Sequence, residues 1–132
     1  IVVPRFVKAA LTNEPITIYG DGNQTRCFAH VLDVIDAVIA IAFAGNTIGK
    51  VINVGNDFEI SINGLARKIT DETGSKSEMI YVPYDEAYGD GFEDMERRVP
   101  NIDLINQLVG WKPKRDLSTM IADISVEMKK SS

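Results

Sequence analysis

The sequence predicts a small mixed α/β lobe with short strands and about five helices, and three observations carry that prediction. Pro15-Ile-Thr-Ile-Tyr-Gly-Asp-Gly22 alternates apolar and polar residues and ends in a double-glycine turn, the pattern of a strand with one buried face. Several longer stretches repeat apolar residues at helical spacing between a Ser, Asp or Asn cap and a closing glycine. Two short apolar runs, Val51-Ile-Asn-Val54 and Met79-Ile-Tyr-Val82, stop at Gly55 and Pro83 and read as strands.

Length and composition bound the rest. At 132 residues the chain suits one compact core and is too short for two ordinary domains. Its 45% hydrophobic and 25% charged residues describe a globular chain, not a disordered one. The net charge is −5 and the 14 basic residues are spread along the chain, so no basic tract offers itself to nucleic acid, and an anion must be met by a local site. The single cysteine, Cys27, has no internal disulfide partner, and no Cys/His cluster has zinc spacing, so a cytoplasmic setting is expected. The most apolar run, Ala37 to Ala44, is far below the ~20 residues a membrane helix needs. Ile1 is not Met, so the chain is expected to start inside a longer protein.

Taken in order, Arg5 to Leu11 predicts a helix with Phe6, Ala10 and Leu11 on one face and Pro4 near its first turn. Pro15 ends it by disfavouring helix in the preceding residue. After the strand, Gly20 and Gly22 permit a tight reversal around Asp21, which delivers Arg26 to a fixed place. Cys27 to Val31 is a second, more apolar segment. A helix follows from about Asp33 to Ala44, with Val34, Ile35, Val38, Ile39, Ile41, Ala42 and Phe43 on almost every side, which implies burial all round against something this chain is too small to supply. In the strand at 51–54, Asn53 is disfavoured by propensity and either caps a neighbouring turn or faces a ligand. Ser61 caps a helix to about Glu72, closed by Gly74. Tyr84 to Arg98 is acidic and reads as a surface loop with aromatic anchors. Asn101 caps a helix stopped by Gly110, and Asp116 caps the last one, whose end at Lys129-Lys130 suits the helix dipole.

Two places could hold chemistry. Arg26 beyond its turn can present a planar donor fork to phosphate or carboxylate, or be a solvated charge on a hairpin. Arg97-Arg98, flanked by acids, is either a solvated pair or a second clamp; two separated cations suit a diphosphate, whose charges spread over two phosphoryl groups. His30 and Cys27 read as packing residues, since no nucleophile or orienting carboxylate has a predictable place near them.

Pro-x-Thr-Ile-Tyr-Gly-Asp-Gly-x-Gln-Thr-Arg over 15–26, followed by Phe28 and Val31-Leu-Asp33-Val34, resembles the substrate-side segment of the NAD-dependent sugar-nucleotide epimerases and dehydratases, the extended short-chain dehydrogenase/reductases. Val3-Pro4-Arg5-Phe6, Val51-Ile-Asn-Val-Gly55, Gly91 to Asn101 and Leu108-Val-Gly-Trp111-Lys-Pro113 are similar to later parts of the same family, in order and over nearly the whole chain. Departures are Cys27 where an acid is common, His30 where Tyr is common and Asn101 where Asp is common.

The resemblance implies that Thr17 and Tyr19 border the nucleobase, that Arg26 and one of Arg97 or Arg98 hold the diphosphate, and that Asn53 assists. It implies that residues 1–132 are a C-terminal substrate-binding fragment lacking most of the Rossmann dinucleotide-binding sheet. The family's Gly-x-x-Gly-x-x-Gly turn and Tyr-x-x-x-Lys pair do not occur here, so NAD is expected in the full-length protein, on the missing Rossmann domain, and no cofactor, metal or catalytic residue is expected in this fragment. A nucleoside-diphosphate sugar is the expected ligand, with homo-oligomer formation and neither nucleic acid nor membrane as partner. The fragment itself is expected to be inactive. The alternatives are a non-catalytic binding or scaffold module of the same fold, and the substrate lobe of an NADPH-dependent reductase.

Overall fold

A computed structural model describes residues 1–132 as six helices and four short strands. The helices are α1 (Val2–Leu11), α2 (Val31–Ala42), α3 (Ile62–Thr73), α4 (Tyr84–Tyr88), α5 (Asp103–Val109) and α6 (Leu117–Lys130). The strands are β1 (Ile16–Tyr19), β2 (Thr25–Cys27), β3 (Glu59–Ser61) and β4 (Met79–Val82). β1 pairs in parallel with β4, Ile16 opposite Met79 through Tyr19 opposite Val82, while β2 pairs antiparallel with β3, Arg26 opposite Ile60. No helix is long and apolar enough to cross a membrane.

The main core follows from helical and strand periodicity. Val3, Phe6, Val7 and Ala10 line one face of α1, Leu65, Ala66 and Ile69 one face of α3, and Leu117, Met120 and Ile121 the start of α6; Ile16 and Ile18 project into the same cluster from β1. Thr17 and Tyr19 therefore lie on the opposite face of β1, only half-buried. Caps fix the helix starts. Ser61 Oγ accepts the Gly64 N–H at 3.0 Å, Asp116 Oδ1 accepts the Thr119 N–H at 2.8 Å, and Gly74 closes α3 at φ 62°. Asn101 Oδ1 accepts the Asp103 N–H at 2.9 Å, so it holds the approach to α5 from just outside the helix.

A second, smaller cluster packs Ala37 of α2 on Ile105 and Trp111. Its polar lock is Asp33, 1% exposed. One carboxylate oxygen accepts the Lys114 and Arg115 N–H groups, both at 3.0 Å, the other accepts Arg115 Nη1 at 2.5 Å, and the Asp33 carbonyl accepts Trp111 Nε1–H at 3.0 Å. Burial pushes the Asp33 carboxyl up, but the hydrogen bonds from Arg115 and Lys114 outweigh it and hold the group below its ordinary value.

Four expectations differ from the structure. Residues 51–54 join neither ladder: the two sheets pair β1 with β4 and β2 with β3 and leave this segment out. The helix expected from about Asp33 begins at Val31, since His30 Nδ1 accepts the Leu32 N–H at 3.1 Å and caps it. The acidic segment after Pro83 carries one short helix, α4, with Asp85 and Glu86 in its first turn. Finally, α2 is not buried all round: Val31, Leu32, Ile35, Val38, Ile39 and Phe43 are 44–88% exposed.

Candidate functional site

The turn after β1 is built for close approach. Gly20 and Gly22 hold φ near 75°; a Cβ on Gly20 would lie 2.5 Å from the Tyr84 ring, and one on Gly22 would lie 2.1 Å from Asn63 Oδ1. Asp21 Oδ1 accepts the Asn23 N–H at 2.9 Å inside the turn, and Asn63 Nδ2 donates to the Asp21 carbonyl at 3.0 Å from α3. The chain then runs into β2 with Arg26 in a defined position.

Arg26 meets Asp94 through Nη2 at 2.6 Å and donates from Nη1 to the Thr25 carbonyl at 2.7 Å. It borders two clefts. The first, about 510 Å³, also has Arg5, Tyr19, Gln24, Tyr84 and Tyr88 in its walls. Within it the Arg5 guanidinium stacks over the Tyr19 ring at 4.7 Å, Tyr88 meets Tyr19 edge-on at 5.4 Å, and Tyr88 stacks on Phe92 at 4.4 Å. Gln24 Nε2 donates to Tyr84 Oη at 2.8 Å, and Tyr84 Oη–H reaches Asp94 Oδ2 at 3.4 Å. Burial, reinforced by Asp94, pushes the Tyr84 phenol above its ordinary value, so it remains a neutral donor.

The second cleft, about 740 Å³, is lined by Arg26, Asn53, Gly55, Arg97 and Arg98 among others. Arg97 is drawn there by a parallel bridge to Thr25, which extends the β2–β3 ladder. Its Nε and Nη2 donate to the two oxygens of Glu59 at 2.8 and 3.1 Å, and Thr25 Oγ1–H adds a third donor to that carboxylate. The Arg97 hydrogen bonds, followed by that of Thr25, hold the Glu59 carboxyl below its ordinary value.

Of the residues singled out from the sequence, Arg26, Asn53, Arg97 and Arg98 thus share one cleft, and Tyr19 shares the other with Arg26. Thr17 lines neither; its carbonyl accepts Arg5 Nη2 at 3.1 Å. Sequence reasoning missed Glu59, Asp94, Arg5 and Gln24. The carboxylates lie 38 and 68 positions from the arginines they hold, and no spacing rule links residues joined only by tertiary contact.

Cys27, His30 and Asp123 line one apolar cleft but do not form a catalytic relay. His30 Nδ1 is engaged by the Leu32 N–H and Nε2 by Asp123 Oδ2 at 2.8 Å, which leaves no ring nitrogen to take a proton from sulfur. Burial, with Glu59 and Asp57 nearby, pushes the Cys27 thiol up. No three His, Cys, Asp or Glu side chains are grouped to hold a metal ion. Only α3 has a glycine in its first turn, and a Cβ at Gly64 would meet Ser61 Oγ at 3.1 Å and Ile60 at 3.2 Å, so that helix start is closed by its own cap.

Residues 2–124 match the family model described as GDP-mannose 4,6 dehydratase. The UDP-N-acetyl-alpha-D-glucosaminuronate decarboxylase of Bacillus cytotoxicus is 38% identical over 112 residues, covering 85% of this chain and 35% of that protein. UDP-D-apiose/UDP-D-xylose synthase 2 of Arabidopsis thaliana is 34% identical over 128 residues, covering 87% and 33%. The chain therefore spans about a third of the length of these curated relatives. Among solved structures, Pal from Bacillus thuringiensis superposes with a TM-score of 0.86 at 29% identity, over 100% of this chain and 40% of that one. The UDP-glucuronic acid 4-epimerase from Bacillus cereus, solved with UDP-glucuronic acid and NAD, gives 0.88 at 24% identity, over 100% and 40%, a likeness of fold. On the family match over nearly its whole length, the chain belongs to the GDP-mannose 4,6-dehydratase-like family of NAD-dependent sugar-nucleotide epimerases and dehydratases, the extended short-chain dehydrogenase/reductases.

Proposed function

We propose that this chain is the substrate-binding part of a longer NAD-dependent enzyme acting on a nucleoside-diphosphate sugar, and that the cleft beside Arg26 takes the diphosphate. The observation that carries this reading is the convergence of Arg26, Asn53, Arg97 and Arg98, from three separate stretches of sequence, on one cleft. Guanidinium groups suit phosphoryl oxygens because each offers a planar set of donors whose charge persists at any working pH. Tyr19, clamped by Arg5 and Tyr88 in the adjoining cleft, offers an aromatic wall within reach of the same Arg26, as a nucleobase next to a diphosphate requires. Thr17 remains assigned to the base side through its place on the same face of β1.

Two further observations support a missing lobe. The curated relatives are about three times the length of this chain, and the outer face of α2 is apolar and bare. The other lobe, on this reading, holds NAD and the acid/base residues, and residues 1–132 alone are inactive. Their contribution is affinity and orientation: binding energy gained at the remote diphosphate positions the reacting sugar carbon.

Titration calorimetry of the full-length protein tests the reading. UDP should bind and uridine should bind at least about 100-fold more weakly, since two charge-assisted contacts are lost with the phosphates. Equal affinities for UDP and uridine would contradict it. A panel of UDP-, dTDP- and GDP-sugars then identifies the base and the sugar, and the absence of turnover with all of them, with binding intact, would leave a scaffold module.

A further inference from the structure

His30 stands between β2 and α2 and against α6, buried, with both ring nitrogens engaged. Their partners fix the tautomer. The Leu32 N–H can only donate, so Nδ1, 3.1 Å away, must offer a lone pair; Asp123 Oδ2 accepts, so Nε2, 2.8 Å away, must carry the proton. A neutral ring is therefore what caps α2. The imidazolium form has no lone pair, and a second proton, on Nδ1, sets two donors against each other across 3.1 Å. The ring is buried but the turn it caps is not: Val31 and Leu32 are exposed, so that turn can open towards water.

The charges around the ring favour the second proton. From α6, Asp123 and Glu127 line the same cleft, and Glu127 is shared with Lys130 at 3.6 Å. From β2, Cys27 brings a thiol that burial pushes up and keeps neutral. Ile1 to Pro4 add no ionisable side chain, and the amino group of Ile1 is a peptide nitrogen in the longer protein of the proposed reading. Within α2, Asp33 is turned into its lock with Arg115. We propose that His30 is a proton-operated cap: neutral, it holds the first turn of α2 through Nδ1; protonated, it keeps Asp123 through Nε2 and releases Leu32. One proton is taken from water, the Leu32 hydrogen bond is lost, and the contact with Asp123 becomes an ion pair. The start of the helix with the bare apolar face thus loosens as pH falls through the histidine range, while the Asp33 carboxylate stays ionised there and keeps the rest of α2 in place.

Hydrogen exchange at the Leu32 amide of the full-length protein, corrected for the intrinsic rate, tests this. Protection should fall by about 5-fold between about pH 7.5 and about pH 5.5, the effect of losing an N-cap, while the Ala37 amide keeps its protection. His30→Asn, whose side-chain oxygen accepts without titrating, should show the same Leu32 protection at both pH values. Asp123→Asn removes the anion that favours the imidazolium, so the fall should move to lower pH. Protection that does not change with pH in the parent overturns the proposal, as does a fall that survives in His30→Asn or one shared equally by Ala37. Should His30→Asn fail to fold, Asp123→Asn decides: a fall displaced to lower pH sustains the cap, and a fall in an unchanged place overturns it.

Discussion

Helices α2 and α3 are equal in length and both carry apolar residues at helical spacing, yet they live differently. In α3, Ile62, Leu65, Ala66 and Ile69 are at most 7% exposed, packed on α1 and α6 with polar residues outward. In α2 only Ala37 and Asp33 are buried, and a row of large aliphatic side chains with Phe43 faces outward. What holds α2 in place is largely polar: the Asp33 lock to Lys114 and Arg115 and the His30 cap. The contrast teaches that hydrophobicity reports how much burial a helix is made for, while the covering partner decides how much it receives. α3 receives its cover from this chain; α2, on the proposed reading, receives the rest from the NAD-binding lobe.

The comparison can be broken at its closed end first. Phe6→Ala, at the centre of the α1–α3–α6 core, should lower stability by about 3–5 kcal/mol in denaturant unfolding, from lost transfer energy plus a cavity. Asp33→Ala should cost about 2–4 kcal/mol, because it deletes a buried group that accepts three hydrogen bonds. Serine at Val38 or Phe43, on the open side of α2, should change stability of the 132-residue chain by less than about 0.5 kcal/mol. The same two substitutions should reduce self-association, which light scattering should detect in the parent chain at high concentration. A parent chain that stays monomeric would show the α2 face to be harmless in water and remove one support for the missing lobe.

Acid sharpens the role of the lock. Asp33 has a folded value below its ordinary 3.8, so its contribution is complete above about pH 4 and disappears as pH falls through the folded value. Glu59, Glu72 and Asp116, also held low, lose theirs in the same direction. Unfolding midpoints followed below pH 4 should therefore fall, and Asp33→Asn should flatten that decline.

The same contrast explains what was legible in the sequence. Elements that carry their own instructions were readable: β1 by its alternation, α3 between Ser61 and Gly74, α6 from Asp116. Elements defined by a distant partner were not. β2 and β3 are three residues each, too short for a period, and exist because Thr25–Cys27 meets Glu59–Ser61. Val51–Val54 has strand composition but pairs with no strand, so its local preference goes unused here. At the site, Arg26 was marked by its glycine turn, whereas the carboxylates that hold Arg26 and Arg97 are visible only once the chain is folded.

The central claim is that Arg26 serves the sugar nucleotide and not the cofactor. Steady-state kinetics of the full-length Arg26→Ala protein measure it directly. The account predicts a KM for the sugar nucleotide raised by about 10- to 100-fold, the loss of one charge-assisted contact, with NAD affinity within about 3-fold of the parent. Equal losses for sugar nucleotide and NAD, or none for either, would contradict it.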